Sequence, residues 1–224
     1  LAPATLNVIA HVELTGGVWY PQGGIYTIAN ALEKLATELG VTIQTNCSVK
    51  QINVTQHSVS GVTLDDGKIY NADVVVSNVD ITTTAKHLLP ADALPTKQQQ
   101  TLTSFDPSCS GFVMMLGVEG HYPNLAHHNI FFSSDYKQEF QQIFGDNVMP
   151  DDPTIYLCIT SKTDPQHAPD SHENWFILVN APALSDQFDW QTQQQQYRDK
   201  LLSILAERYN LDIRDKIKAE KHLT

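Results

Sequence analysis

The sequence has no excess of positive charge, and that excludes the most. It carries 14 Lys and Arg against 25 Asp and Glu, a net charge of −11. Phosphate-backbone binding needs clustered cations, so a nucleic-acid partner is excluded, as is purely electrostatic attraction to an anionic membrane. Long hydrophobic runs are also missing. None approaches the roughly twenty apolar residues that a membrane-spanning helix requires. Cysteine is scarce: Cys47, Cys109 and Cys158 are odd in number, far apart and without C-x-x-C spacing. That excludes a disulfide framework and a structural zinc site, and makes a reducing cytoplasm the expected compartment. The Leu1–Thr5 opening has no initiator Met, basic stretch or cleavage signature, and is expected to be a cut inside a larger protein. Without a secretory signal, the sequons at Asn46 and Asn53 are read as chance.

What remains is an ordinary globular composition, 42% hydrophobic and 17% charged over 224 residues. That is enough to bury a core as one domain, or as a domain plus a lobe. Leu6–Leu14 is short and apolar, a helical turn or a strand. From Ile25 onward apolar residues fall at helical spacing, with Thr27 available as a cap and Gly40 as the C-terminal stop. After Gly40 the period becomes two. Val41–Ile43, Val49–Ile52, Val59–Leu64, Ile69–Tyr70 and Val74–Ser77 read as strands, with Asp65-Asp66-Gly67 as a hairpin turn. The unbroken Val74-Val75-Val76 predicts a strand buried on both faces. Further on, Ala85–Leu89 and Pro90–Thr103 predict helical pieces, and Phe112–Val118 and Asn129–Phe132 predict strands. Asp135–Phe144 is expected to be a helix ending at Gly145. Ile155–Thr160 and Trp175–Asn180 are strands again, before a long helix around Gln191–Tyr209.

Few residues are marked for chemistry. Gly23-Gly24 ahead of a helix could cradle a phosphate, but lacks the G-x-G-x-x-G order and a preceding strand, so a tight turn is the favoured reading. There is no G-x-x-x-x-G-K-[ST], H-E-x-x-H or G-x-S-x-G anywhere in the chain. His127-His128 are adjacent. On a strand they would point to opposite faces, so no metal site is expected. His167 and His172 fall in a polar loop and are expected to be solvated. The acid pairs Asp65-Asp66 and Asp151-Asp152 sit in turns, which argues against a catalytic carboxylate pair.

Several segments nevertheless resemble one family, in order. Gly17-Val18-Trp19-Tyr20-Pro21-Gln22-Gly23-Gly24 is similar to the G-V-W-Y-P-x-G-G segment of the phytoene dehydrogenase family, the flavin-dependent carotenoid desaturases. The helix, its Leu-Gly stop and Gly61-Val62…Asp66-Gly67…Ala72–Asn78 continue the match. So do Tyr122–Ile130, Phe132–Tyr136, Tyr156–Cys158 with Ser161–Pro165, and Asp189-Trp190…Tyr197-Arg198. The family's N-terminal G-x-G-x-x-G and its second glycine-rich flavin segment are not in these residues.

The resemblance implies an α+β chain. It would be a mixed or antiparallel substrate lobe flanked by helices, with a β-meander and strand returning to a Rossmann-type FAD domain. The implied divisions are 1–40 (substrate-lobe entry and helix), 41–84 (the returning FAD-domain piece) and 85–224 (substrate-binding lobe). Val49 would meet the adenine of FAD through its backbone, with a plain core valine equally open. Ser77 and Asn78 would end a strand at the cofactor crevice, with local capping the competing reading. Trp19, Tyr20, Gly23, Gly24 and Tyr26 would lie towards the flavin–substrate boundary and contact the substrate.

The implied reaction moves hydride from an allylic C–H of an apolar polyene to FAD. Isomerisation, terminal oxidation or ketolation are the alternatives within the family, and a non-catalytic apolar-ligand module the alternative outside it. No residue is marked as a catalytic base. The expected partners are a carotenoid precursor and the rest of the same polypeptide. The intact enzyme is expected in the cytoplasm, docked peripherally on a membrane, and this chain alone is expected to be inert.

Overall fold

A computed structural model describes residues 4–56, 58–105, 108–184 and 189–224, with the Gln191 side chain undefined. Leu1–Pro3 of the opening segment therefore lie outside the described residues. The chain divides into two compact units, Leu1–Lys34 with Ser108–Thr224, and Leu35–Pro107. The fold is α+β with antiparallel sheets, as the sequence predicts.

The larger unit begins with helix α1 (Asn7–Gly16), which resolves the ambiguity at Leu6–Leu14, and continues through the glycine turn into α2 (Tyr26–Glu38). Its centre is a five-stranded sheet of β4 (Ser110–Glu119), β5 (His128–Phe131), β6 (Ile155–Cys158), β7 (His172–Ala181) and β8 (Ile217–Leu223), in the order β5-β6-β7-β4-β8. Helix α5 (Tyr136–Phe144) starts where Asp135 accepts the Lys137 and Gln138 amides at 3.0 Å, an N-cap, and stops before Gly145.

Strand side chains alternate between faces, and here the alternation is strict. Phe112, Met114, Leu116 and Val118 point to the same side as Trp175, Ile177 and Val179 and as Ile155 and Leu157, all fully or nearly fully buried. The long helix α6 (Trp190–Tyr209) closes this face with Tyr197, Leu201, Leu202 and Leu205, the stripe its spacing predicts. One charge is buried in this layer. Glu173 takes Lys162 Nζ at 2.6 Å, the Tyr122 amide at 3.0 Å and Trp175 Nε1 at 3.0 Å. Burial alone would raise its pKa; the three donors outweigh it and hold the carboxyl below its usual range.

The smaller unit holds an antiparallel sheet of β1 (Val49–Thr55), β2 (Ser58–Leu64) and β3 (Ile69–Asn71). Asp65-Asp66-Gly67 makes the expected β2–β3 turn, with the Gly67 amide on Leu64 O at 3.0 Å. Helical pieces α3 (Ile81–Thr83), with the wider turn Thr84–Leu88 after it, and α4 (Thr96–Thr103) follow. Gly40 ends α2 as expected. Its φ of +84° lets its amide reach Thr37 O and Val41 N reach Ala36 O, the paired bonds of a left-handed helix stop.

Two predicted strands are corrected. Val41–Ile43 and Val74–Ser77 make no ladder, and Val74 and Val76 are 75% and 89% exposed rather than buried. Apolar β-branched composition favours extended backbone, but a strand exists only where another edge offers hydrogen bonds. Among the described residues none does so here. Conversely, β8 escapes a period-two search because its Lys, Glu and His residues disguise the alternation; it pairs with β4 from Val113↔Leu223 to Val118↔Ile217.

Candidate functional site

The second face of the five-stranded sheet is built differently. Pairings His128↔Cys158, Cys158↔Phe176 and Phe176↔Met115 put these four side chains in one row across β5, β6, β7 and β4. Asn174 opposite Gly117 and Tyr156 opposite Leu178 flank that row on the same face. Above it opens a cavity of about 790 Å³, walled by Tyr20, Gly24, Ile25, Met115, His127, His128, Tyr156, Cys158, Thr160, His167, Asn174 and Phe176 among others. Most of the open wall is apolar, with polar groups contributed by the three histidines, Tyr20, Tyr156, Thr160, Asn174 and the Cys158 thiol.

A loop contact delivers the glycine turn to this cavity. Asp164 Oδ2 accepts the Gly23 amide at 2.8 Å, so two segments 141 residues apart, Gly16–Gly24 and Ser161–Pro165, are tied together. The backbone at Gly24 has φ +89°, and a Cβ there would meet the Tyr20 hydroxyl oxygen at 3.5 Å and His167 Cε1 at 3.6 Å. Glycine thus serves both the turn and the cavity wall.

Most polar groups around the cavity pair with one another. Thr160 Oγ1 takes Asn174 Nδ2 at 2.6 Å and meets His167 Nδ1 at 2.9 Å. His128 Nδ1 meets the Tyr156 hydroxyl at 2.8 Å, and His127 Nδ1 the Thr163 hydroxyl at 2.7 Å. Two atoms have no partner among the described residues although both are buried: the Tyr20 hydroxyl and His127 Nε2. Their rings meet edge to face with centroids 4.5 Å apart.

Burial, then Asp164 and Cys158, push the Tyr20 phenol up, against an opposing pull from Thr160, so it stays protonated. Burial, with the neighbouring His128 and His167, pushes the His127 imidazole down, so it stays neutral. Burial and Cys158 push the Tyr156 phenol up to about 12. Burial raises the Cys158 thiol as well, with Tyr156 opposing.

The expected site residues distribute unevenly. Tyr20 and Gly24 line the cavity and Gly23 holds the Asp164 contact. Trp19 and Tyr26 do not line it and stand 86% and 73% exposed, the Trp19 indole bonded to Gly16 O at 2.9 Å. In the smaller unit, Val49 opens β1 opposite Leu64, its side chain half-buried. The Ser77 hydroxyl lies 2.9 Å from the Thr84 hydroxyl and takes the Val79 amide at 3.4 Å, while Asn78 is exposed in irregular backbone.

Three histidine expectations need correction. His127 precedes β5 rather than belonging to it, so its ring is not flipped to the far face; it sits 4.3 Å from the His128 ring. Nitrogens of both and Cys158 Sγ fall within 4.8 Å of one another. His167 is half-buried on the cavity wall rather than solvated, and His172 begins β7 rather than lying in a loop. The row His128–Cys158–Phe176–Met115 was beyond sequence reasoning, because it depends on which strands pair and in what register.

The chain matches the model of the flavin-containing amine oxidoreductase family over residues 5–222. It belongs to that family. It is 43% identical over 216 residues to the 4,4'-diaponeurosporene oxygenases of Staphylococcus aureus strains USA300 and NCTC 8325, covering 96% of this chain and 43% of each relative. The chain thus spans less than half the length of these relatives. Among solved structures, an oxidoreductase from Methanosarcina mazei superposes with a TM-score of 0.66 at 18% identity, covering 97% of this chain and 46% of that one. Reduced UDP-galactopyranose mutase does so with 0.62 at 15%, covering 100% and 46%. These two similarities establish the fold.

FAD is the cofactor such a family implies, and its pyrophosphate needs free backbone amides at a helix N-terminus. The described residues do not fit that demand. The glycine turn ahead of α2 already spends the Gly23 amide on Asp164 and the Gly24 amide on Pro21 O. No flavin step is derived from these side chains.

Proposed function

We propose that this chain is the substrate-binding lobe of an FAD-dependent oxidoreductase that modifies a carotenoid or its apolar precursor. The observation carrying the proposal is the cavity of about 790 Å³ on the open sheet face. Its walls suit a long hydrocarbon, which gains from apolar burial and needs few directional contacts. Family membership and the name of the Staphylococcus aureus relatives support the redox class and the polyene. FAD would be held chiefly by other parts of the protein, with Val49, Ser77 and Asn78 of the smaller unit the residues of this chain proposed to approach it.

Within this class, desaturation by hydride loss from an allylic C–H is the reaction the resemblance implies. Oxidation of an end group is the second reading, favoured by the relatives' name. Incubating the intact protein with FAD and 4,4'-diaponeurosporene, followed by mass analysis, tests both. Desaturation removes hydrogen and lengthens the chromophore; end-group oxidation adds oxygen. An unchanged polyene, with no polyene-dependent change of the flavin spectrum, would overturn the proposal.

The expected setting is cytoplasmic, with peripheral membrane contact and packing against the rest of the polypeptide. Exposed apolar side chains on α1 and its following turn, Leu14 at 87% and Val12 at 55%, are consistent with either contact. Among the described residues no helix is long and apolar enough to cross a membrane. Vesicle co-sedimentation of the intact protein, repeated with Leu14→Ser, checks the membrane contact.

A further inference from the structure

We propose that Gly117 decides which chain length the cavity accepts. Its missing side chain leaves the β4 end of the cavity open, and an apolar chain too long for the cavity passes out over it. The proposal rests on the polyene reading of the same cavity and adds a specificity determinant to it. The cavity is lined by residues of the neighbouring strands β5, β6, β7 and β4, and by none of β8. Three strand-to-strand steps of roughly 4.8 Å give a span of about 14 Å across the sheet, far less than an extended carotenoid.

Alternation puts Met115, Gly117 and Glu119 on the open face of β4. Met115 stands opposite Lys221 of β8, and Glu119 is paired with Lys218 at 2.8 Å, so side chains block both of these paths. Gly117 carries none and stands opposite Ala219, which is small and exposed. Leu116 and Trp175 also line the cavity although their side chains are buried on the far face, so the cavity reaches bare main chain beside Gly117.

Nothing else asks for glycine at this position. Unlike Gly24, Gly117 has no positive φ. A Cβ there would meet the Ala219 Cβ at 3.4 Å and the Ala219 amide nitrogen at 3.8 Å, ordinary contacts, with nothing over it on the cavity side within 4 Å. Glycine weakens a strand interior and marks places where a ligand comes close to the backbone. The space it leaves is therefore its use.

The test compares two probes on the intact protein. One is 4,4'-diaponeurosporene, longer than the cavity; the other is diphenylhexatriene, a rigid conjugated hydrocarbon short enough to lie inside it. Affinities come from absorption titration of the first and fluorescence enhancement of the second. Gly117→Val is expected to weaken diaponeurosporene binding about tenfold and to change diphenylhexatriene binding by less than about twofold. Gly117→Ala is expected to weaken the longer probe less. Val113→Leu adds bulk on the same strand and face but outside the cavity, and is expected to leave both probes unchanged. Retained diphenylhexatriene binding shows that a variant is folded; if valine prevents folding, the alanine variant decides by the same comparison.

Equal losses of both probes would make Gly117 ordinary cavity floor, and no loss of either would mean that the chain leaves elsewhere. Each result overturns the proposal while sparing the polyene reading, as does a matching loss from Val113→Leu. A wild-type protein that binds neither probe, or only the shorter one, overturns both.

Discussion

The two faces of the five-stranded sheet share the same strands and the same backbone, yet they are different materials. The face towards α6 is aliphatic and aromatic and fully buried at its centre, where the carboxylate of Glu173 is given three donors. The opposite face carries His, Tyr, Cys and Asn around open space. A period of two sends consecutive residues to opposite faces, so Ile177 and Phe176 belong to different tasks although they are neighbours in sequence. One face supplies stability, and the other is released from packing and available for a ligand.

Replacing neighbours on β7 is the sharpest way to break that contrast. Ile177→Ala, at a fully buried position, is expected to cost about 2–5 kcal/mol in denaturant unfolding of the intact protein. Leu178→Ala, on the half-buried face, is expected to cost roughly 1 kcal/mol. Equal costs would mean that the open face is packed as a core too.

Next in size is Glu173→Gln, expected to cost about 1–3 kcal/mol at neutral pH, because Lys162 loses its counter-charge and one acceptor becomes a donor. The folded-state pKa of this carboxyl lies below its usual 4.5, so its stabilisation is present above that value and drains away as pH falls through the folded pKa. Thermal unfolding across this range should therefore show wild type losing stability on acidification faster than the Gln variant.

The rim of the closed face gives a smaller effect. Arg198 on α6 grips Glu220 on β8 with two bonds of 2.8 Å, and Glu220→Gln should cost about 1 kcal/mol or less, diminishing with added salt.

Smallest is a slope on the open face. The folded His127 pKa lies below its ordinary 6.5, so the unfolded chain binds the proton more readily, and stability falls as pH drops below 6.5 towards the folded value. His127→Gln should flatten that part of the pH–stability curve. An unaltered curve would mean that the imidazole is solvated and not part of a dry cavity.

How much of this was legible beforehand differs by element. Helices α2 and α6 were readable because their apolar stripes repeat along the chain itself, and Gly40 and Asp135 mark ends through backbone preferences that need no distant partner. Strand β8 was not readable, because its three apolar residues, Ile217, Ala219 and Leu223, are outnumbered by charged and polar neighbours. Val74–Val76 failed in the other direction: composition suited to a strand, but no edge among the described residues to pair with. In the site, the Gly16–Gly24 turn and the His127-His128 pair were visible as unusual strings. Their meeting was not.

By itself, then, the sequence determined what local physics controls: helix faces, caps, the β2–β3 turn, the net negative charge, and the ordered segments that mark the family. Only the tertiary structure decided that Asp164 draws the glycine turn over the sheet and that Thr160, Thr163 and Tyr156 each serve another group. It also decided that the Tyr20 and His127 rings meet edge to face. Such outcomes depend on register between distant strands and on competition for hydrogen bonds, and neither is a property of any single stretch of chain.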